Sequence, residues 1–508
     1  MAHAALGQLV TNAVRGAAFA LFLLGAAGSA SAQARDPLKW PFASTSIWNM
    51  PIGSDAVYVP ANIPAIPYTN DPNDPNYWRP VPWMDEEIIV LAPTAPLTDI
   101  NYSDAAWRGG DRCNATGGLL FQLPMPSNFT VPNGVTSNSA AFLKPDGRTL
   151  IQMQPFTRCT AGLSGTSLTT PSDFPPVDLY GDGVRGSRAG SGLSAIGGSI
   201  RLGELRPGSQ GPRHALKVAL YSAQVLYKCV TPGDCYRWPA DRADAIAVGS
   251  YGTVSDNNNA AMKMGALLAI AASVDLSTMG LETEPGRQLA WTLQNYGAYI
   301  DDSTGEPAFV IDAETGPDGS LDAQFQADWG FPIAQRAGWD LPWSRDIQRL
   351  MTALSVVDNN SPTSIGGGGT PRQPLAPPLM MTRSEEDSAV HSGWVRRGAE
   401  VAAFSSGFAV SSDVTGAAAT FIFTGTAVNW IGLKCNVCGI TNVSVDGGAM
   451  ISIDTAGPAV PGSPGLASEV VLTTSGLAAG THTLNITVTG SSSSGGAHIV
   501  VDAFDVTP

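Results

Sequence analysis

The stretch AAFLKPDGRTLIQMQ, residues 140–154, sets the fold class. Pro145, Asp146 and Gly147 supply turn chemistry between two β-prone runs, which is the pattern of a hairpin. Its second run alternates, placing Ile151 and Met153 on one face and Gln152 and Gln154 on the other. On either side, Glu87 to Leu91, Leu119 to Leu123 and His214 to Tyr227 read as further strands. Two stretches carry helical spacing instead. Leu289, Ala290, Leu293 and Tyr296 follow Thr283 and Pro285, and Ile347, Leu350, Met351 and Leu354 follow a Ser344 cap. The expected architecture is an all-β main region, a β-sandwich or jelly roll with a few peripheral helices.

Composition agrees. The 508 residues include 56 Gly and 38 Pro, and only 14% are charged, which suits a turn-rich β protein and excludes a helical bundle. Asp+Glu outnumber Lys+Arg by 43 to 28, a formal charge of −15. Such a chain is repelled by phosphate backbones and anionic surfaces, so neither nucleic acid nor membrane is an expected partner, and a monomer is.

Residues 1–32 read as an export signal: Arg15 precedes an apolar run from Ala17 to Ala27, and Ala30-Ser31-Ala32 offers a small-x-small cleavage site before Gln33. No later run reaches the ~18 apolar residues of a membrane span. A secreted, soluble protein is expected, extracellular or periplasmic. Six cysteines fit that compartment as three disulfides, Cys229 with Cys235, Cys435 with Cys438, and Cys113 with Cys159. A zinc half-site at Cys435 and Cys438 lacks a second Cys pair or His pair to complete it.

The composition of SPTSIGGGGTPRQPLAPP, residues 361–378, is that of a linker. It divides a main region, 33–360, from a module at 381–508, with 361–380 between them. The module shows short strands at Thr420–Phe423, Asn429–Ile431, Val443–Val445, Val470–Leu472, Thr483–Val488 and Ile499–Val506, a small β-sandwich. Its Phe421-Ile-Phe-Thr-Gly425, Trp430-Ile-Gly432, Ser475 to Thr483 and Val501-Asp-Ala-Phe-Asp-Val506 resemble the jelly-roll carbohydrate-binding-like modules of secreted polysaccharide-active enzymes. The main region, from the segment Trp40 to Pro51 through Asp358-Asn359-Asn360, is similar to exported bacterial proteins of no assignable activity that open with a similar Pro-Phe-x-x-x-x-x-Trp-Asn segment, here Pro41-Phe42 to Trp48-Asn49. The resemblance implies a polysaccharide as partner and substrate.

Histidine usage narrows the chemistry. Of His3, His214, His391, His482 and His498, the main region holds one, so histidine metal centres cannot be built there. Gly192-Leu-Ser-Ala-Ile196 and Gly162-Leu-Ser-Gly-Thr166 both lack the second glycine of a nucleophile elbow.

The segment from Asp178 to His214 is the most unusual, with Arg185, Arg188, Arg201, Arg206 and Arg213 among many glycines in a charge-poor chain. Glycine lets backbone approach a ligand, and arginine forks bind carboxylate or hydroxyl pairs. A structural role, arginines neutralising nearby acids, is the competing reading.

Glycoside hydrolysis needs two carboxylates. Glu204 is the preferred acid and Asp182 its partner, with Asp178, Glu282, Glu284 and Asp328 as unranked substitutes. The alternative is a lyase on a uronate polymer, with His214 as base and Arg201 neutralising the carboxylate. A third reading is a noncatalytic glycan-binding protein. Arg201, Arg188, Trp48, Asn49 and Trp238 are candidates for substrate contact, and Trp78, Trp83, Trp107, Trp329, Trp339 and Trp343 for further sugar stacking or core. No cofactor is required. The acidic run from Asp312 to Asp322 leaves room for a structural calcium, but Pro317 stands where an EF-hand loop needs Gly, so an acidic turn is expected.

Overall fold

The computed structural model describes residues 35–105, 110–134, 137–379, 381–397, 404–405, 407–458, 465–493 and 495–508. The export signal at 1–32 and Trp107 lie outside them. Strands make up 34% of the chain and helices 11%, so the protein is all-β in class.

The largest sheet has eleven strands. Its middle runs Leu267–Ala269, Ala298–Ser303, Leu216–Leu220, Phe309–Gly316, Trp83–Val90, Ala140–Leu143 and Thr149–Met153. The expected hairpin forms the last pair, with Ala140 opposite Met153 and Leu143 opposite Leu150. Around it three pairings are parallel, which a plain antiparallel jelly roll would not show: 216–220 with 298–303, 309–316 with 83–90, and 83–90 with 140–143.

Alternation gives this sheet two different faces. One carries Leu216, Val218, Ile300, Ile311 and Ala313, and packs against the helices Glu284–Asn295, Leu321–Trp329 and Pro342–Thr352. Thr283 caps the first, accepting from Gly286 N at 3.0 Å. Ser344 is not a cap: the third helix begins at Pro342 and buries Ser344 in its first turn, because proline fits the first helical position.

The opposite face is acidic. The parallel register sets Asp85 beside Asp312 and Glu87 beside Glu314, with Asp301 two strands away. Like charges side by side destabilise a sheet. The glycine-rich stretch from Gly183 to Leu202 covers this face and brings the cations. Arg188 is fully buried and meets Asp301 at 2.7 Å, Asp85 at 2.8 Å, Glu87 at 3.2 Å, Asp302 at 3.3 Å and Asp312 at 3.4 Å. Lys217, from the sheet itself, reaches Glu87 at 3.0 Å and the carbonyls of Ser194 and Ala195 at 2.9 Å. Gln152 and Gln154 do share the face opposite Met153, but that face is not wet: Gln152 accepts from Ala195 N at 2.6 Å and Gln154 from Ala189 N at 2.7 Å.

Trp48 is 2% exposed beneath the same covering, donating to Gly183 O at 2.7 Å. Gly198 passes directly over its indole with φ of 76°, and a Cβ there would lie 2.5 Å from both the ring and Lys217 Cγ. Gly198→Ala is therefore expected to lower stability by about 1–3 kcal/mol, read from denaturant unfolding.

The C-terminal strands pair antiparallel throughout the described residues, around Phe421, Phe423, Trp430, Leu484 and Phe504. Phe421 stacks on Phe504 at 4.1 Å. The tip of the 140–153 hairpin meets this module. Arg148, also over the Tyr180 ring, bonds Asp178 at 2.6 Å and the fully buried Asp505 at 2.9 Å, and Arg383 holds Asp505 from the module side. Lys144 pairs with Glu469 at 3.3 Å.

The four glycines 366–369, read as linker, are packed against the main region. All have φ between 67° and 88°, a conformation that favours glycine, and Gly366 and Gly368 accept from Gly53 N and Asp55 N. The three expected disulfides are formed. No described helix is long and apolar enough to cross a membrane.

Candidate functional site

A small depression of about 270 Å³ opens beside the covering stretch, lined by Trp40, Asn49, Gly197, Ser199, Arg201 and His214 among others. One wall is a turn locked by Asn49, whose amide donates to the carbonyls of Pro41 and Ala43 while its oxygen accepts from Trp40 Nε1 at 2.8 Å. Asn49 is thereby committed to the wall and 1% exposed, so the expectation of substrate contact gives way to a structural role. Trp48 is likewise core rather than platform.

His214 lies in a bend two residues before the strand Leu216–Leu220, so the strand expected from His214 onward begins only at Leu216. Its Nδ1 lies 2.9 Å from Ala215 O and its Nε2 3.0 Å from Glu204 Oε2. Both neighbours are acceptors, which suits a ring carrying both protons. Burial opposes that charge, but the Glu204 carboxylate, its hydrogen bond and the Ala215 carbonyl outweigh it, and the His214 pKa is raised. Glu204 is fixed by a second bond from Arg201 N at 2.8 Å, and its side chain remains 23% exposed.

A histidine of raised folded pKa contributes stability that is complete below the unfolded value of 6.5 and is lost as pH rises through the folded one. Unfolding curves should therefore show the penalty of Glu204→Gln shrinking as pH is raised from about 6 to about 9.

Arg201 completes the group. Its Nε meets Glu314 at 2.8 Å and its Nη2 meets Leu38 O at 3.1 Å, while Nη1 is buried without a hydrogen bond. His214 and Arg201 thus bring two cationic groups to one rim, each already facing a carboxylate, Glu204 and Glu314.

The other candidates are dispersed. Asp182 is exposed in a turn, accepting from Val184 N at 3.1 Å, and no hydrogen bond joins it to Glu204 among the described residues. Arg188 is sealed under the covering stretch among five carboxylates and has no surface to offer a substrate. Trp238 is partly buried against the cluster that holds Trp48. The substitutes are occupied: Asp178 by Arg148, Asp328 by Arg206, Glu284 by Gly208 N, and Glu282 by Arg345 and Arg349, whose hydrogen bonds hold its pKa down to about 2. Trp343 is core, and Trp329 donates to Leu205 O. Trp78, Trp83 and Trp339 are exposed, and Arg336 lies over both Trp78 at 4.8 Å and Trp339 at 5.9 Å. The sequence offered no sign of that pairing, because Trp78 lies some 260 residues before its partners.

No family model and no curated protein matches the chain. Several solved structures align with part of it. A carbohydrate-binding module (CBM35) of Paenibacillus barcinonensis aligns at 16% identity over 24% of this chain and 95% of its own, with a TM-score of 0.19. An exo-β-1,3-galactanase of Phanerochaete chrysosporium aligns at 18% identity over 25% of this chain and 29% of its own, TM-score 0.19. A two-domain esterase active on acetylated mannans aligns at 10% identity over 40% of this chain and 55% of its own, TM-score 0.21. The chain thus spans under a third of the galactanase and about half of the esterase. Similarity of this extent carries no argument about activity.

Proposed function

We propose that the protein is a carbohydrate-active protein that engages an acidic polysaccharide at the depression formed by Arg201, His214 and Glu204. The observation that carries this reading is the convergence of the raised His214 and the buried, partly unpartnered Arg201 guanidinium on one rim. A uronate carboxylate is the sugar substituent that such a rim would recognise.

Among the reactions open to such a site, β-elimination uses these residues most directly. A base takes the C5 proton, the C4–O bond breaks with its electron pair on oxygen, and the leaving oxygen gains a proton. Arg201 would stabilise the carboxylate as charge develops, and His214 would serve as base once its Nε2 has shed its proton and parted from Glu204. Hydrolysis asks instead for a second carboxylate facing Glu204, and Asp182 is held in a turn of its own.

Incubation with a panel of neutral and uronate polysaccharides, following reducing ends and absorbance near 235 nm, tests the reading. Elimination should appear on uronate polymers alone. Acting as base, His214 must first shed its proton, so the rate should rise with pH through a midpoint above 6.5. In Glu204→Gln that midpoint should fall, because the carboxylate that holds the proton is gone. His214→Ala should lower turnover by about 100-fold or more. Release of ends without new absorbance would favour hydrolysis. Binding without turnover would favour the noncatalytic reading, which the exposed Trp78 and Trp339, both beside the half-buried Arg336, support.

A further inference from the structure

The charges on the covered face of the main sheet do not balance. Asp85, Glu87, Asp301, Asp302 and Asp312 surround Arg188 and Lys217, five acids against two cations. Three of the acids, Glu87, Asp301 and Asp312, are wholly buried and each presents a carboxylate oxygen within 4.8 Å of the others. Their hydrogen bonding is lopsided. Glu87 Oε1 faces both Lys217 and Arg188, and Asp301 Oδ2 faces Arg188, but Glu87 Oε2 and Asp301 Oδ1 accept no hydrogen bond. Asp312 accepts none at either oxygen and is paired only across 3.4 Å to Arg188. A carboxylate wholly buried without a donor is destabilised by several kcal/mol unless something positive stands against it.

We infer that Glu87, Asp301 and Asp312 bind a structural divalent cation, calcium by the chemistry of the ligands, through the carboxylate oxygens that accept no hydrogen bond. The donors are all oxygen, which suits a hard cation, and oxygens up to ~4.8 Å apart can lie across a calcium ion bonded at ~2.4 Å. Added to Arg188 and Lys217, a divalent ion leaves one negative charge among five acids. The other way to relieve the excess is to hold protons: burial and Asp301 push the Asp312 carboxyl up, and burial pushes Asp302 up to about 7. The two resolutions differ in what the purified protein contains. The ion would lie beneath the stretch from Gly183 to Leu202, so it enters as the protein folds rather than by exchange with solvent.

Three measurements on the full chain, disulfides intact, decide between them. Metal analysis after desalting into metal-free buffer should find calcium, and Asp312→Asn, which keeps the shape of the side chain, should contain about one equivalent less per chain. Protein unfolded in guanidinium and refolded in chelator should melt at least ~5 °C lower than protein refolded with calcium chloride. If Asp312→Asn does not fold, anomalous scattering from crystals of the wild-type protein replaces it and should place a peak between the three carboxylates. No anomalous peak there, an unchanged metal count in folded Asp312→Asn, or identical melting of the two refolded samples would overturn the site and leave protons as the neutralising charge.

Discussion

Arg188→Met is expected to be the most damaging single substitution in the molecule, costing at least about 3–5 kcal/mol and leaving little folded protein. The guanidinium is the shared partner of Asp85, Glu87, Asp301, Asp302 and Asp312, and no part of it reaches solvent. Methionine fills much of the same space, so the loss measures charge rather than volume. Burying an ion pair need not stabilise a fold, but removing one member leaves the others desolvated and uncompensated. The check is a double-mutant cycle: Asp301→Asn, damaging on its own, should recover part of the melting temperature when added to Arg188→Met. Additive losses in the pair would show that Arg188 acts by packing.

Asp505→Ala should come second, again by about 3–5 kcal/mol, and with a different signature. Its carboxylate is fully buried and shared by Arg148 of the hairpin and Arg383 of the C-terminal module. Without it both guanidinium groups face each other across a dry contact. The expected result is a loosened junction: faster limited proteolysis between residues 361 and 381, with the melting temperature lowered. A change in stability with the cleavage pattern untouched would place the effect inside the module alone.

How far these features could be read beforehand varied with how local their causes are. The hairpin at 140–153 and the module's strands were legible because alternation and turn residues act over a few positions. The central strands Ala298–Ser303 and Phe309–Gly316 were not. They carry Asp301, Asp302, Asp312 and Glu314, residue types that favour turn or loop; the expected acidic turn is confined to Pro317 and Asp318, between paired strands, and Asp312 and Glu314 lie in the strand before it. What makes these strands tolerable is Arg188, 113 positions from Asp301. The signal lay in the arginines themselves: a charge-poor chain that concentrates five of them in a glycine-rich stretch has acids elsewhere to neutralise. Arg188 answered to that structural reading, while Arg201 and His214 came together at the surface depression. Trp48 and Asn49 were misplaced because a tryptophan beside Asn and outside an apolar run reads as exposed; Gly183 and Gly198 close over Trp48, and the turn at 40–43 takes up Asn49.

The contact between Arg148 and Asp505 also carries a consequence for time. The two residues stand 357 positions apart, and one of them sits at a hairpin tip that pairs locally and early. Closing so long a loop is slow compared with forming the hairpin, so for most of the folding reaction Arg148 has Asp178 but not Asp505. The main sheet must therefore hold an unfinished, charged knob in water until the final strand of the module arrives. A chain emerging vectorially from a ribosome or an export channel meets this interval at its longest, and the arrival of Ala503–Thr507 is the event that ends it.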